Sequence, residues 1–150
     1  MNADLSFDPG TGAICIGDTT RLTAFQKKST VQALVSPWVG GSRDLQNGYE
    51  WLQLRGLTFG RHPAGLSLCF HHGKLISVKW GVSLPGAPTE GRWPTQQAID
   101  QEIAFVRQIL AVLFQTELIT GALEFSWGAV WSTFDSKGFL ASHGIRYRQL

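Results

Sequence analysis

Leu66-Ser67-Leu68-Cys69-Phe70-His71-His72-Gly73-Lys74-Leu75-Ile76-Ser77-Val78-Lys79-Trp80-Gly81-Val82 decides the fold. Leu66, Leu68 and Phe70 alternate on one side of a break, and Ile76, Val78, Trp80 and Val82 on the other. A period of two is that of a strand with one buried face. Between the runs, Gly73 supplies the left-handed backbone that a hairpin loop requires. A two-residue turn at His72-Gly73 would oppose Phe70 to Leu75 but Leu68 to Ser77. A three-residue loop, His72-Gly73-Lys74, opposes Phe70 to Ile76, Leu68 to Val78 and Leu66 to Trp80. That register gives one continuous apolar face. Because register follows the buried face, the three-residue loop is the expectation.

Upstream, residues 49–54 alternate as a strand, and Leu57-Thr58-Phe59 is either a second short strand or its continuation past a break at Gly56. Residues 49–82 thus form a β-meander. Downstream, three prolines and two glycines make 84–94 a loop. A helix over 95–115 follows, with Ile99, Ile103, Val106, Leu110 and Leu113 or Phe114 at helical spacing. Gln101, Glu102 and Gln108 are read as lying off that stripe. A last hairpin pairs 123–127, with Gly128 marking a bulge, to 140–147 around Asp135-Ser136-Lys137-Gly138.

At the N-terminus, 5–7 and 13–16 flank Asp8-Pro9-Gly10-Thr11-Gly12, dense in turn formers, and predict a hairpin. Asp18 or Thr19 then caps a short helix that buries Leu22 and Phe25 and ends by Ser29. Residues 31–49 are the least regular, and Ser36-Pro37-Trp38-Val39-Gly40-Gly41-Ser42 predicts a loop. Strands in runs joined by short turns argue for an α+β fold with a twisted antiparallel sheet. The order is β-hairpin, short helix, β-meander, long amphipathic helix and C-terminal β-hairpin, in one domain over 1–150.

A chain of 150 residues buries enough surface to fold without a disulfide or metal staple. Its charged fraction, 16%, is low against an average of about 25%, so disorder is not expected beyond the termini. Net charge is +2, with Lys27-Lys28 and Arg146-Tyr147-Arg148 as the nearest approaches to a basic patch. Nucleic acid is therefore not an expected partner. Cys15 and Cys69 fall in predicted strands and read as buried free thiols. The first residues carry no export signal and no segment is long and apolar enough to span a membrane, which makes the cytoplasm the expected compartment.

Candidate chemistry is sparse. Cys69 and His71 share a strand face, but zinc needs three or four convergent ligands, and His62, His143 and Cys15 could join only through the fold. His72 reads as a turn residue. Ser142, His143 and Asp135 could be drawn as a triad, yet Ser142 and His143 are adjacent and face opposite ways on a strand. Glu50, Asp100, Glu102, Glu117 and Glu124 are scattered over expected solvent faces. Gly10-Thr11-Gly12 and Gly40-Gly41 lack a phosphate-loop fingerprint. Lys137-Gly138-Phe139 opens like an RNA-recognition strand and fails at Leu140-Ala141. No catalytic residue, metal ligand or cofactor is expected.

What remains is the exterior. Trp38, Trp93, Trp127 and Trp131, with Arg43, Arg61, Arg92, Arg146 and Arg148, are of the types enriched at protein contacts. The candidate partner-binding residues are Trp38 and Arg43, in the 35–44 loop, and Arg92 and Trp93. Trp38 either folds back onto the core, the preferred reading, or meets a partner.

Phe125-Ser126-Trp127-Gly128-Ala129-Val130-Trp131-Ser132-Thr133-Phe134-Asp135-Ser136-Lys137-Gly138, followed by Ile145-Arg146-Tyr147, together with the Leu68–Leu75 hairpin, resembles small bacterial proteins. Some of these occur beside contact-dependent or type VI secretion toxins, where immunity proteins are found. The resemblance implies a protein-binding role without cofactors and carries over no catalytic residue. The leading expectation is a non-catalytic cytoplasmic protein-binding protein, an immunity protein that neutralises a cognate toxin by occluding it. The alternative is a small-ligand binder or enzyme with a pocket lined by His62, His71 and His143. A third is a subunit of a larger assembly held by its aromatic surface.

Overall fold

A computed structural model describes residues 3–149. Strands β1 (Leu5–Phe7), β2 (Ile14–Ile16) and β3 (Thr20–Leu22) lead into α1 (Lys28–Val35), β4 (Val39–Asp44), β5 (Tyr49–Phe59), β6 (His62–His71) and β7 (Lys74–Val82). Two-residue strands β8 (Thr89–Glu90) and β9 (Trp93–Pro94) precede α2 (Gln96–Phe114), and β10 (Ala122–Phe125), β11 (Gly128–Asp135) and β12 (Leu140–Tyr147) close the chain. The fold is α+β, with antiparallel pairing throughout the named strands. Seven strands form the main sheet in the order β10-β11-β12-β7-β6-β5-β4, and β1-β2-β3 form a small sheet.

The β6–β7 turn differs from the expected three-residue loop. His71 pairs with Lys74 and Phe70 with Leu75, so the turn holds only His72 and Gly73. Both have positive φ, 49° and 77°, as the twist of a two-residue hairpin turn demands. The expected apolar register still holds beyond it. Ile76 is left unpaired as a bulge, after which Leu68 faces Val78 and Leu66 faces Trp80. β5 likewise continues past Gly56, with a shift in register between Leu54 and Leu57.

Inward residues of the main sheet join Leu5, Phe7, Ile14, Ile16 and Leu22 of the small sheet, Val31 and Val35 of α1 and Val106, Leu110 and Phe114 of α2 in one core. Small sheet and helices therefore cover the same face of the main sheet. α2 follows its expected stripe closely, since Ile99, Ile103, Val106, Leu110 and Phe114 are all buried. The Thr95 side chain accepts from the Ala98 N–H at its start, and Gln115 ends it in the left-handed conformation.

The expected helix after Thr19 is displaced. Thr20–Leu22 instead pairs with β2, setting Leu22 opposite Ile14. Phe25 then takes φ 60° and donates its N–H to the Leu75 carbonyl. These backbone partners outweigh the short-range helical signal, and helix forms only from Lys28. The expected 35–44 loop is a 3-10 turn, Ser36–Trp38, followed by the edge strand β4. Gly40 lets the chain lie against the Arg55 side chain there, since a Cβ would sit 2.7 Å from Arg55 Cδ.

Gly128 is no bulge within a strand. It opens β11 after a tight turn at Ser126-Trp127, opposite Tyr147, with φ 152°. A Cβ there would lie 2.0 Å from the Arg146 carbonyl oxygen. Gly128→Ala is therefore expected to destabilise by at least about 2 kcal/mol. The urea midpoint measures it, and an unchanged midpoint would contradict this close approach.

Tyr147 is buried and donates its hydroxyl to the Gly12 carbonyl at 2.7 Å, tying the N-terminal hairpin to β12. Burial, first, and a minor contribution from Cys15 push its phenol well above the usual tyrosine range. A raised folded value means this contribution is intact below the unfolded value of about 10 and is lost as pH climbs above it. Stability should thus fall above pH ~10, and Tyr147→Phe should flatten that fall. Denaturation midpoints from pH 8 to 11 test this.

Candidate functional site

The face of the main sheet turned away from the core carries half-buried aromatic rings among exposed cationic side chains. Register places Arg43, Trp51, Cys69, Ser77, Arg146, Ala129 and Glu124 in one cross-strand row from β4 to β10. Gly41, Gln53, Ser67, Lys79, Gly144 and Trp131 form the next. Their sequence neighbours Leu52, Leu68, Val78, Ile145 and Val130 all point into the core, and strand side chains alternate. Both rows therefore face outward, where no helix or second sheet of the described residues covers them.

Small residues set the relief of this face. The Trp131 ring lies over Gly144, where a Cβ would fall 2.2 Å from it, and its Nε1 donates to Ser142 Oγ at 3.0 Å. Lys79 Nζ stands 6.0 Å from the centre of the Trp51 ring, the outer limit of a cation–π contact. Tyr49 stacks on His71 with ring centres 4.3 Å apart. Two adjoining depressions result. One is lined by Trp51, Cys69, Lys79 and Trp131, the other by Gly128, Ala129 and Arg148, and both by Tyr49, Ile76 and Arg146. Burial pushes the Cys69 thiol up, against the Ser77 hydrogen bond and the charges of Arg146 and Lys79. Cys15 and Cys69 are both free.

The four candidate contact residues fall in different places. Arg43 lies on edge strand β4, outward, opposite Trp51. Trp38 is half-buried and packs on the core. Arg92 and Trp93 sit in and after the β8–β9 turn, and Trp93 is 68% exposed. Trp93 borders a depression with Gln96 and Phe139, the latter in the β11–β12 turn. Phe139 in turn meets Phe134 edge-on at 5.5 Å. This second, apolar patch is remote from β4 in strand order. Trp51, Tyr49 and Lys79 were not singled out from sequence. Their alternation was visible, but only strand order aligns them with Trp131 and Arg146.

The histidines do not share a pocket. His62 meets Phe105, His71 meets Tyr49, and His143 is fully buried beside Trp80. No group of three or more potential metal ligands converges among the described residues.

His143 nonetheless joins a relay that sequence reading missed. Its Nδ1 lies 2.9 Å from Ser132 Oγ and its Nε2 2.7 Å from Glu102 Oε2. The ring thus bridges the Ser132 hydroxyl on one side and the Glu102 carboxyl on the other. The order hydroxyl, imidazole, carboxylate is that of a hydrolytic triad. Here Ser132 and His143 are both 0% exposed, between α2 and the sheet. No substrate carbonyl can reach that hydroxyl, so the relay joins helix to sheet. Arg107 adds to it, donating Nε–H to the Ser132 carbonyl at 2.8 Å. Glu102 is thus not on the solvent face expected of it: it follows Ile99 by three residues and precedes Val106 by four, which places it on the buried side. Glu50 also departs from that expectation, pairing with Lys28 in a half-buried contact. Ser142, expected to face away from His143, does so and bonds Trp131.

No family model and no curated protein matches the chain. Among solved structures, the fold is similar to that of a chain in "Rhs1-CT in complex with cognate immunity protein RhsI1". Identity is 12%, the TM-score is 0.52, and the match covers 96% of this chain and 87% of that one. At this identity the likeness is one of fold, and it agrees with the resemblance to immunity proteins drawn from the hairpins.

Glu102→Ala strips the buried imidazole of its acceptor and is expected to cost about 1–3 kcal/mol. Glu102→Gln, which keeps an acceptor oxygen, should cost less. Equal urea midpoints for Glu102→Ala and the parent chain would show that the relay does not hold α2 down.

Proposed function

We propose that the chain is a non-catalytic protein-binding protein, acting in the cytoplasm as an immunity protein that neutralises a cognate bacterial toxin by occluding it. The observation that carries this reading is the exposure of large aromatic side chains that the fold does not need at its surface. Trp93, 68% exposed beside Phe139 at 44%, is the clearest case. Leaving such rings in water forgoes about 1.5–3 kcal/mol apiece, which a partner that covers them recovers. The fold likeness to a chain from a complex with a cognate immunity protein supports the same reading.

Occlusion needs no reactive centre in the inhibitor. It needs a rigid surface with a few anchoring rings and guanidinium groups. Arg92 and Trp93 supply one contact, from a turn held against the start of α2 by the Thr95 N–H bond to the Pro88 carbonyl. Arg43 supplies the other, from the edge strand, with the part of Trp38 that the core leaves uncovered beside it. The scattered histidines leave the small-ligand reading without its motivating arrangement.

Where a toxin domain is encoded beside the chain, co-expression of the two is expected to restore growth and yield a one-to-one complex. Trp93→Ala should weaken that complex at least tenfold, about 1.4 kcal/mol or more, in a calorimetric titration. No complex and no protection against such a toxin would retire the reading.

A further inference from the structure

We propose that the outward face of the main sheet is the principal docking surface, and that its occupant is a protein surface rich in carboxylates. The inference rests on the protein-binding role proposed above and adds to it the place and the chemistry of the partner.

Charge is the first argument. The chain as a whole is only +2. On this face, however, Arg43, Lys79, Arg146 and Arg148 stand against two carboxylates, Glu124 and Asp135, and Asp135 already accepts from the Lys137 and Gly138 N–H groups. Lys or Arg ion pairs among the described residues lie elsewhere, at Arg21–Asp8 and Lys28–Glu50. None of the four cations has an acidic partner among those pairs. The folded chain thus gathers like charges on one face in excess of its carboxylates there, an arrangement that is complementary to an acidic surface.

Shape is the second argument. The cations surround the rings of Trp51 and Trp131, one beneath Lys79 and the other pressed over Gly144. Flat rings at the centre with cations around them reproduce the anatomy of a protein contact, an apolar middle inside a charged margin. Strand backbones fix where the Trp51, Trp131, Lys79 and Arg146 side chains leave the sheet, so little backbone order is lost on binding. Nucleic acid would call for a denser basic field than four cations on a chain of charge +2.

The test uses the full chain and two polyanions of equal charge, a polyglutamate of about twenty residues and a single-stranded oligothymidylate, with binding followed through indole N–H resonances. Polyglutamate is expected to shift the Trp51 and Trp131 signals, with affinity falling at least tenfold between low and physiological salt. The pair Lys79→Glu and Arg146→Glu should abolish the shifts. The pair Arg61→Glu and Lys137→Glu, of identical net charge and off this face, should retain them, with circular dichroism confirming that both variants fold. Shifts with oligothymidylate but not polyglutamate, shifts confined to Trp93, or equal losses in the two paired variants would each overturn the proposal. Toxin binding that survives Lys79→Glu and Arg146→Glu would also overturn it, while leaving the immunity reading standing on another surface.

Discussion

Phe7, Phe59 and Trp80 meet where the small sheet lies on the large one, with ring centres 4.8 to 6.4 Å apart. Phe105 of α2 closes on Phe59 edge-to-face at 6.4 Å. This junction joins the first strand, the middle of the meander and the long helix, which are far apart in sequence. A seven-stranded sheet with one apolar face is unstable in water until that face is covered. Once covered from one side, the sheet retains a second face that folding leaves free. The geometry of the core therefore decides which surface remains for a partner.

Local periodicity made part of this legible. The apolar stripe of α2 and the alternation of Leu66, Leu68 and Phe70 were readable because each repeats several times within one element. The β6–β7 hairpin shows how far such reading reaches: Leu68 does face Val78 and Leu66 Trp80, but Phe70 faces Leu75 and not Ile76, through a two-residue turn and a bulge that turns Ile76 to the outer face. Short strands that owe their form to a neighbouring strand were not readable, even where that neighbour is close in sequence. Thr20–Leu22 is a strand because β2 is beside it, and Val39–Asp44 because β5 is. Neither segment announces a strand by itself, and the glycines of β4 argue against one.

The candidate site divides in the same way. Arg92 and Trp93 lie in a glycine- and proline-rich segment, where exposure is easy to foresee. The Trp51–Lys79–Trp131 cluster spans β5, β7 and β11, and no one-dimensional reading gives that strand order. Glu102 was misplaced by treating the helical stripe as narrow, when its spacing to Ile99 and Val106 set it inward. The relay it forms with His143 and Ser132 has the components of a catalytic device in a setting that admits no reactant. Chemical identity alone would have misassigned it; burial decides its role.

The two outer strands of the main sheet differ from its interior in one respect with a further consequence. β4 pairs irregularly between Val39 and Gly41 and ends on Arg43 and Asp44, while β10 spans only four residues. A broken hydrogen-bond ladder with charges at one margin and a stub at the other gives an incoming strand little to zip onto. Such margins disfavour edge-to-edge stacking of copies into ribbons, and they leave the open flank of the sheet uncovered.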